Sequence, residues 1–174
     1  MPYPSKAIAN FFIDLAKKSE NPLKRKLTPM KLQKLVYYAH GWNLGLYDQP
    51  LIDEEIQAWS FGPVVNSLYH EFKRFGNSSI TGYATDFDFN SPINDWPAPK
   101  ISPNDPVVPL LNRIWDVYGK YTGFQLSNAT HQPGTPWYTV WEREGKDKKF
   151  VGIPDTEIRN YFAARTNIAK PVKA

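Results

Sequence analysis

A chain of 174 residues with 41% hydrophobic and 15% aromatic side chains is long enough to bury the core of one domain, which excludes a disordered polymer. The absence of cysteine excludes a disulfide scaffold, thiol catalysis and thiolate metal ligation, and it accords with a reducing cytoplasm. The formal charge is +4; Lys and Arg are dispersed, so they read as solvated surface charge, and a positive chain is a poor mimic of a phosphate backbone.

Met1 to Ser19 carries Asp14, Lys17 and Lys18 in an amphipathic pattern, so no secretory leader is expected, nor is any apolar run long enough for membrane insertion. Within it, Ser5 to Lys18 spaces Ile8, Phe11, Phe12 and Leu15 at helical intervals and closes on basic residues, which suit a helix C-terminus. Glu20 to Leu27 reads as a polar connection. Thr28 then supplies a capping hydroxyl and Pro29 a preset φ, which predicts a long helix over residues 29–46. Leu32, Leu35, Val36, Ala39, Trp42 and Leu46 share one arc of it, and Met30, Tyr37 and Leu44 lie nearly opposite. Two apolar faces need two packing partners. This helix is therefore the expected central post of the domain, with Lys31, Gln33, Lys34, His40 and Asn43 left in the gaps.

Gly45 to Pro50 reads as a turn, and residues 54–59 as a short strand holding Ile56 and Ala58. Gly62-Pro63 is expected to open a third helix, with Val65, Leu68, Phe72 and Phe75 at steps of three and four and Gly76 as its left-handed end. Trp59-Ser60-Phe61-Gly62-Pro63 thus makes a tight aromatic corner beside the post. A second short strand is expected at 80–83. The six prolines between Pro92 and Pro109 make residues 86–109 an irregular surface loop. A helix resumes near Asp105 and stops at Gly119, and Thr122 caps a short one carrying Phe124, Leu126 and Ala129. Thr130 to Trp137 is a breaker-rich turn, and Pro136 starts a helical turn through Trp141. Residues 142–149 read as a solvated loop, 154–165 as a last helix with Ile158, Tyr161 and Phe162 inward, and 168–174 as a fraying tail. The expected fold is mainly α: a single compact domain over 1–174, core about 5–165, of about six helices around the central one, with one or two short β-strands around 54–59 and 80–83.

Chemical motifs are scarce. His70-Glu71 lies on a helix, but the residue four after His70 is Arg74, so a two-histidine zinc face is missing. His40 belongs to the post and His131 to the turn. There is no Gly-x-Ser-x-Gly elbow and no phosphate-cradling loop, and Asp53, Glu54 and Glu55 read as a water-facing run. No catalytic residues, metal ligands or cofactors are assigned. Lys24, Arg25 and Lys26 form no nucleic-acid motif, so nucleic acid is not an expected partner.

The segments Met30-Lys31-Leu32-Gln33-Lys34-Leu35-Val36-Tyr37-Tyr38-Ala39, Ala58-Trp59 with Phe61-Gly62-Pro63-Val64-Val65, Tyr69, Thr130-His131, Pro136-Trp137, Ile158 and Tyr161-Phe162 together resemble the Panacea domain, the SocA-like antitoxin family, also described as phage-associated protein. The resemblance runs from about Ala7 to Phe162, and the bare domain is expected, without the extra terminal regions that some members add. It implies a mainly helical fold and the antitoxin of a type II toxin–antitoxin pair, holding a toxin encoded by the adjacent gene inactive by direct contact. It also implies, as an alternative, an adaptor that delivers the toxin to the Clp protease. A hydrolase using His131 with a carboxylate or metal is the alternative from another class. The candidate toxin-binding residues are Lys34, Tyr37, Trp59, Phe61, Pro63, His131 and Trp137, with the loop 86–109 selecting the partner.

Overall fold

The computed structural model describes residues 1–86, 96–144 and 150–166. In chain order the elements are α1 (Ser5–Lys18), α2 (Pro22–Arg25), α3 (Pro29–Tyr47), β1 (Ile56–Trp59), β2 (Gly62–Val65), α4 (Asn66–Phe72), α5 (Val108–Tyr118), α6 (Gly123–Thr130), α7 (Pro136–Glu144), β3 (Val151–Gly152) and α8 (Asp155–Thr166). The architecture is mainly α with one small antiparallel sheet, ordered β2-β1-β3. The expected tail 168–174, the middle of the expected 86–109 loop and most of the expected 142–149 loop lie outside the described residues. Residues 96–107 contain no helix or strand, as their prolines require.

Helix α3 is the post. It starts where Thr28 Oγ1 accepts from the Lys31 N–H, and α1, α4, α5, α6, α8 and β2 all pack against it. Every residue from Lys31 to Gly41 is buried, so the helix is enveloped on all sides and not on two faces alone. That corrects the expectation for its polar residues. Lys31, Gln33, Lys34 and His40 do not sit in open gaps; they are buried, at 1%, 6%, 1% and 0% exposure. Burial of such groups is tolerated only with hydrogen-bond partners, and each has them. Lys31 Nζ donates to the Leu23 and Lys26 carbonyls, and Gln33 exchanges two bonds with the backbone of Val65. Lys34 Nζ donates to the Pro63 carbonyl. His40 Nδ1 accepts from the Leu51 and Ile52 N–H groups while Nε2 faces Asp155 Oδ1 at 2.9 Å.

Several boundaries differ from expectation, each for a physical reason. Gly45 does not begin a turn: α3 runs through it to Tyr47 and ends at Asp48, whose φ is 55°. The glycines serve helix packing. A Cβ on Gly41 would lie 2.2 Å from the Phe162 ring, and one on Gly45 would lie 2.8 Å from the Ala163 backbone, so α8 approaches α3 more closely than any larger residue permits. Gly62-Pro63 does not open a helix. Gly62, at φ 107°, takes the chain around the Ser60-Phe61 turn into β2, where Pro63 pairs with Ala58. Proline is accepted there because β2 is an edge strand, and the helix starts at Asn66 instead. Residues 80–83 are not a strand, and among the described residues they pair with no strand of the sheet. They are tied singly, by Ile80 N–H to the Leu27 carbonyl and by the Asn10 side chain to both backbone groups of Ala84. Strand β3 and the single turn α2 were not foreseen.

Helix propensity and packing oppose each other at Gly41. Alanine would favour an isolated helix by about 1 kcal/mol, but the Phe162 ring occupies its space. Gly41→Ala is expected to destabilise the fold by about 1–3 kcal/mol net in urea denaturation, and combining it with Phe162→Leu should recover part of that loss. A stabilised single variant would remove the close-approach argument.

Candidate functional site

The sequence pointed to two separated stretches, the corner Trp59–Pro63 and the turn His131–Trp137. In the structure they are one assembly. The β1–β2 hairpin turns over Ser60 and Phe61, and its consecutive backbone carbonyls are each held by a side chain from behind. Trp137 Nε1 donates to the Trp59 carbonyl at 2.7 Å, His131 presents Nε2 to the Ser60 carbonyl at 3.1 Å, and Ser127 Oγ donates to the Phe61 carbonyl at 2.8 Å. Lys34 Nζ continues the series at Pro63, 3.2 Å away, and Gln33 completes it at Val65. A tight turn leaves several carbonyls without ladder partners; here helices α3, α6 and α7 supply the donors.

Local sequence explains how these donors converge. Thr122 and Gln125 form a reciprocal capping box that fixes the start of α6. Ser127 and His131 then lie four residues apart on one helical face, and His131 Nδ1 comes within 2.5 Å of the Ser127 carbonyl. Both ring nitrogens therefore face backbone carbonyls. Thr135 Oγ1 closes the turn, its one hydroxyl hydrogen shared between the Thr130 and Gln132 carbonyls at 2.7 and 2.8 Å. The His131 ring rests on Trp137 at 3.9 Å between centroids, and Trp137 stacks on Trp141.

Lys34, Pro63, His131 and Trp137 are thus brought together around the hairpin, but as its supports. Lys34 and Trp137 are buried, and so is Pro63. Tyr37 is not part of the assembly. It lies in the core at 2% exposure, against Tyr38 and Phe162, so the expectation of an accessible contact there gives way to a packing role. What the hairpin displays is Phe61, 67% exposed. Beside it the half-buried Trp59 ring packs between Tyr69 and Phe150, both exposed. Among the candidate contacts the sequence reading had Tyr69 only as a family-motif residue, and it left out Ser127 and Phe150. Ser127 could have been found from its four-residue spacing to His131; Phe150 is joined to Trp59 only by the tertiary fold.

Two of the histidines make contacts within the fold, and the third is exposed. His40 and His131 contact the groups named above, and His70 Nδ1 lies 3.5 Å from Lys73 Nζ. Among the described residues no group of three His, Cys, Asp or Glu side chains could hold a metal ion, and no helix is long and apolar enough to cross a membrane.

Fold and site together define a small helical protein that displays an aromatic hairpin pinned from behind by buried polar side chains. The family model described as "Antitoxin SocA-like, Panacea domain" matches residues 32–138, a span that contains the hairpin and all of its supports. The chain belongs to this family. It is also 31% identical over 160 residues to Antitoxin SocA of Caulobacter vibrioides (strain NA1000 / CB15N), covering 91% of this chain and 81% of that protein. No solved structure matches it.

Burial pulls the Lys34 ammonium down to about 7 from its ordinary 10.5. An unfolded lysine holds its proton to higher pH, so from about pH 7 to about pH 10 the unfolded chain binds more protons, and stability contributed through Lys34 rises with pH. Below that window both states are protonated and the cost of burying the charge is present in full. Lys31, lowered to about 8 by burial, acts in the same direction. The wild-type chain should therefore gain stability against Lys34→Met between about pH 7 and about pH 9.5 in paired urea titrations. Parallel curves for the two proteins would rule out a desolvated ammonium at this position.

Proposed function

We propose that this chain is a type II antitoxin that neutralises a cognate toxin by direct protein contact, through the face carrying Phe61, Trp59, Tyr69 and Phe150. The observation that carries this reading is the rigid display of Phe61. A large apolar side chain is set out in solvent on a turn whose carbonyls at 59, 60 and 61 are each bound from behind. Rigid aromatic residues on a pre-organised backbone are the usual anchors of protein interfaces, because little conformational freedom is lost on binding. Similarity to Antitoxin SocA supports the same reading and supplies the kind of partner.

Within it, Phe61 and Trp59 touch the toxin, while Lys34, Pro63, His131 and Trp137 are positioning residues that fix the hairpin. Tyr37 acts through the core alone. The toxin is the product of the adjacent gene, and the encounter takes place in the cytoplasm. No cofactor or catalytic residue is required.

Co-expression tests the proposal. The neighbouring reading frame expressed alone should arrest growth, and co-expression of this chain should restore it, with the two proteins copurifying. A harmless neighbour, or arrest that this chain does not relieve, would overturn the antitoxin reading. Toxin abundance followed with and without the Clp protease separates neutralisation by binding, in which the toxin persists, from delivery for degradation.

A further inference from the structure

The floor beneath Phe61 is a cavity of about 300 Å³ over the first turns of α3, with Pro29, Met30 and Val64 in its wall. A second cavity of about 370 Å³, walled by Leu23, Lys26 and Phe124, adjoins it, and the two share Met30 and Asn77. They form one two-lobed groove with Met30 as the saddle. Three large apolar side chains stand exposed along it: Leu23 at 59%, Phe61 at 67% and Phe124 at 70%. Its charge has a single sign. The walls contain Lys26, Lys34 and Lys73 and no carboxylate residue among the described residues.

We propose that this groove receives a segment of the toxin that carries bulky apolar side chains for the two lobes and carboxylates for Lys73 and Lys26. The inference rests on the toxin reading above and specifies the chemistry of the contact. Charge complementarity selects an acidic segment, since an approaching basic one would meet only like charge. The apolar floor selects a polypeptide over a nucleic acid: a phosphate backbone laid over Met30, Pro29 and Val64 would lose hydration and gain no donor there. Lys34, buried under the hairpin with Nζ donating to the Pro63 carbonyl, lines the groove from below.

Affinity for the purified toxin is the direct measurement, on the full-length chain at low and high salt. Phe61→Ala and Phe124→Ala should each weaken binding about tenfold or more, as truncation of interface anchors does. Lys73→Glu should weaken it by a similar factor at low salt, with the effect shrinking as salt rises. All three side chains are exposed, so thermal melts should be unchanged. Val117→Ala, at the opposite end of α3 beside Leu46, should bind like wild type. If the wild-type chain binds and neutralises the toxin while all three groove variants stay within about twofold of it, the groove proposal is overturned and the antitoxin reading stands. A wild-type chain that does not bind the toxin overturns both. Competition by a labelled single-stranded oligonucleotide for the same groove would overturn the choice of a polypeptide occupant.

Discussion

The structure depends on burying a helix that is not fully apolar. A post enclosed on every side must bring its polar side chains into the interior with it, and an interior amine, amide or imidazole is stable only when hydrogen-bonded. In α3 these groups become the ties to the surrounding chain. Lys31 holds the segment through α2, Gln33 and Lys34 hold β2, and His40 holds the 51–52 backbone and the start of α8. The segments they hold are irregular or only briefly regular, so their carbonyls and N–H groups lack partners of their own. One constraint thereby supplies the solution to another: donors that must be satisfied meet backbone groups that must be satisfied.

The proposed functional face follows from the same arrangement. A two-residue hairpin turn between strands of four residues has little intrinsic stability, yet it presents a phenylalanine to solvent. Three helices converge behind it, and α6 and α7 complete what Gln33 and Lys34 begin. Among the described residues Lys34 has no carboxylate partner; burying it is costly, and the chain accepts that cost at the point where the hairpin is pinned. That is the arrangement the proposed binding face calls for, with stability spent on pre-organisation.

Aromatic packing at the other end of the post is of a different kind. Tyr38 stacks on Tyr118 at 4.1 Å, and Phe162 meets Trp42, Tyr37 and Tyr38 edge-on. Here the rings fill the space that Gly41 and Gly45 leave open, which joins α8 to α3. Helices α5 and α8 are thus held to the same helix, and the family motif residues Tyr37, Tyr38, Ile158 and Phe162 are core residues by location.

Sequence alone determined the elements that local chemistry specifies. Thr28-Pro29 fixed the start of the post and Thr122 the start of α6, because capping is decided within one turn. Helical spacing marked most helices, and the family motif marked the chain as an antitoxin relative. It could not separate supports from displayed groups in the candidate site: Lys34 in a gap of the post, Trp59 and Phe61 at the corner, and His131 and Trp137 in the turn all read alike as contact candidates. Only the tertiary structure placed Lys34 and Trp137 inside and Phe61 outside. It alone made Gly62–Val65 a strand, since a strand exists through its partner and that partner here is β1. The enclosure of α3 was hidden for a related reason. Periodicity reports apolar faces, whereas a buried lysine is known only by the carbonyl that receives it, and that carbonyl is 29 residues away at Pro63.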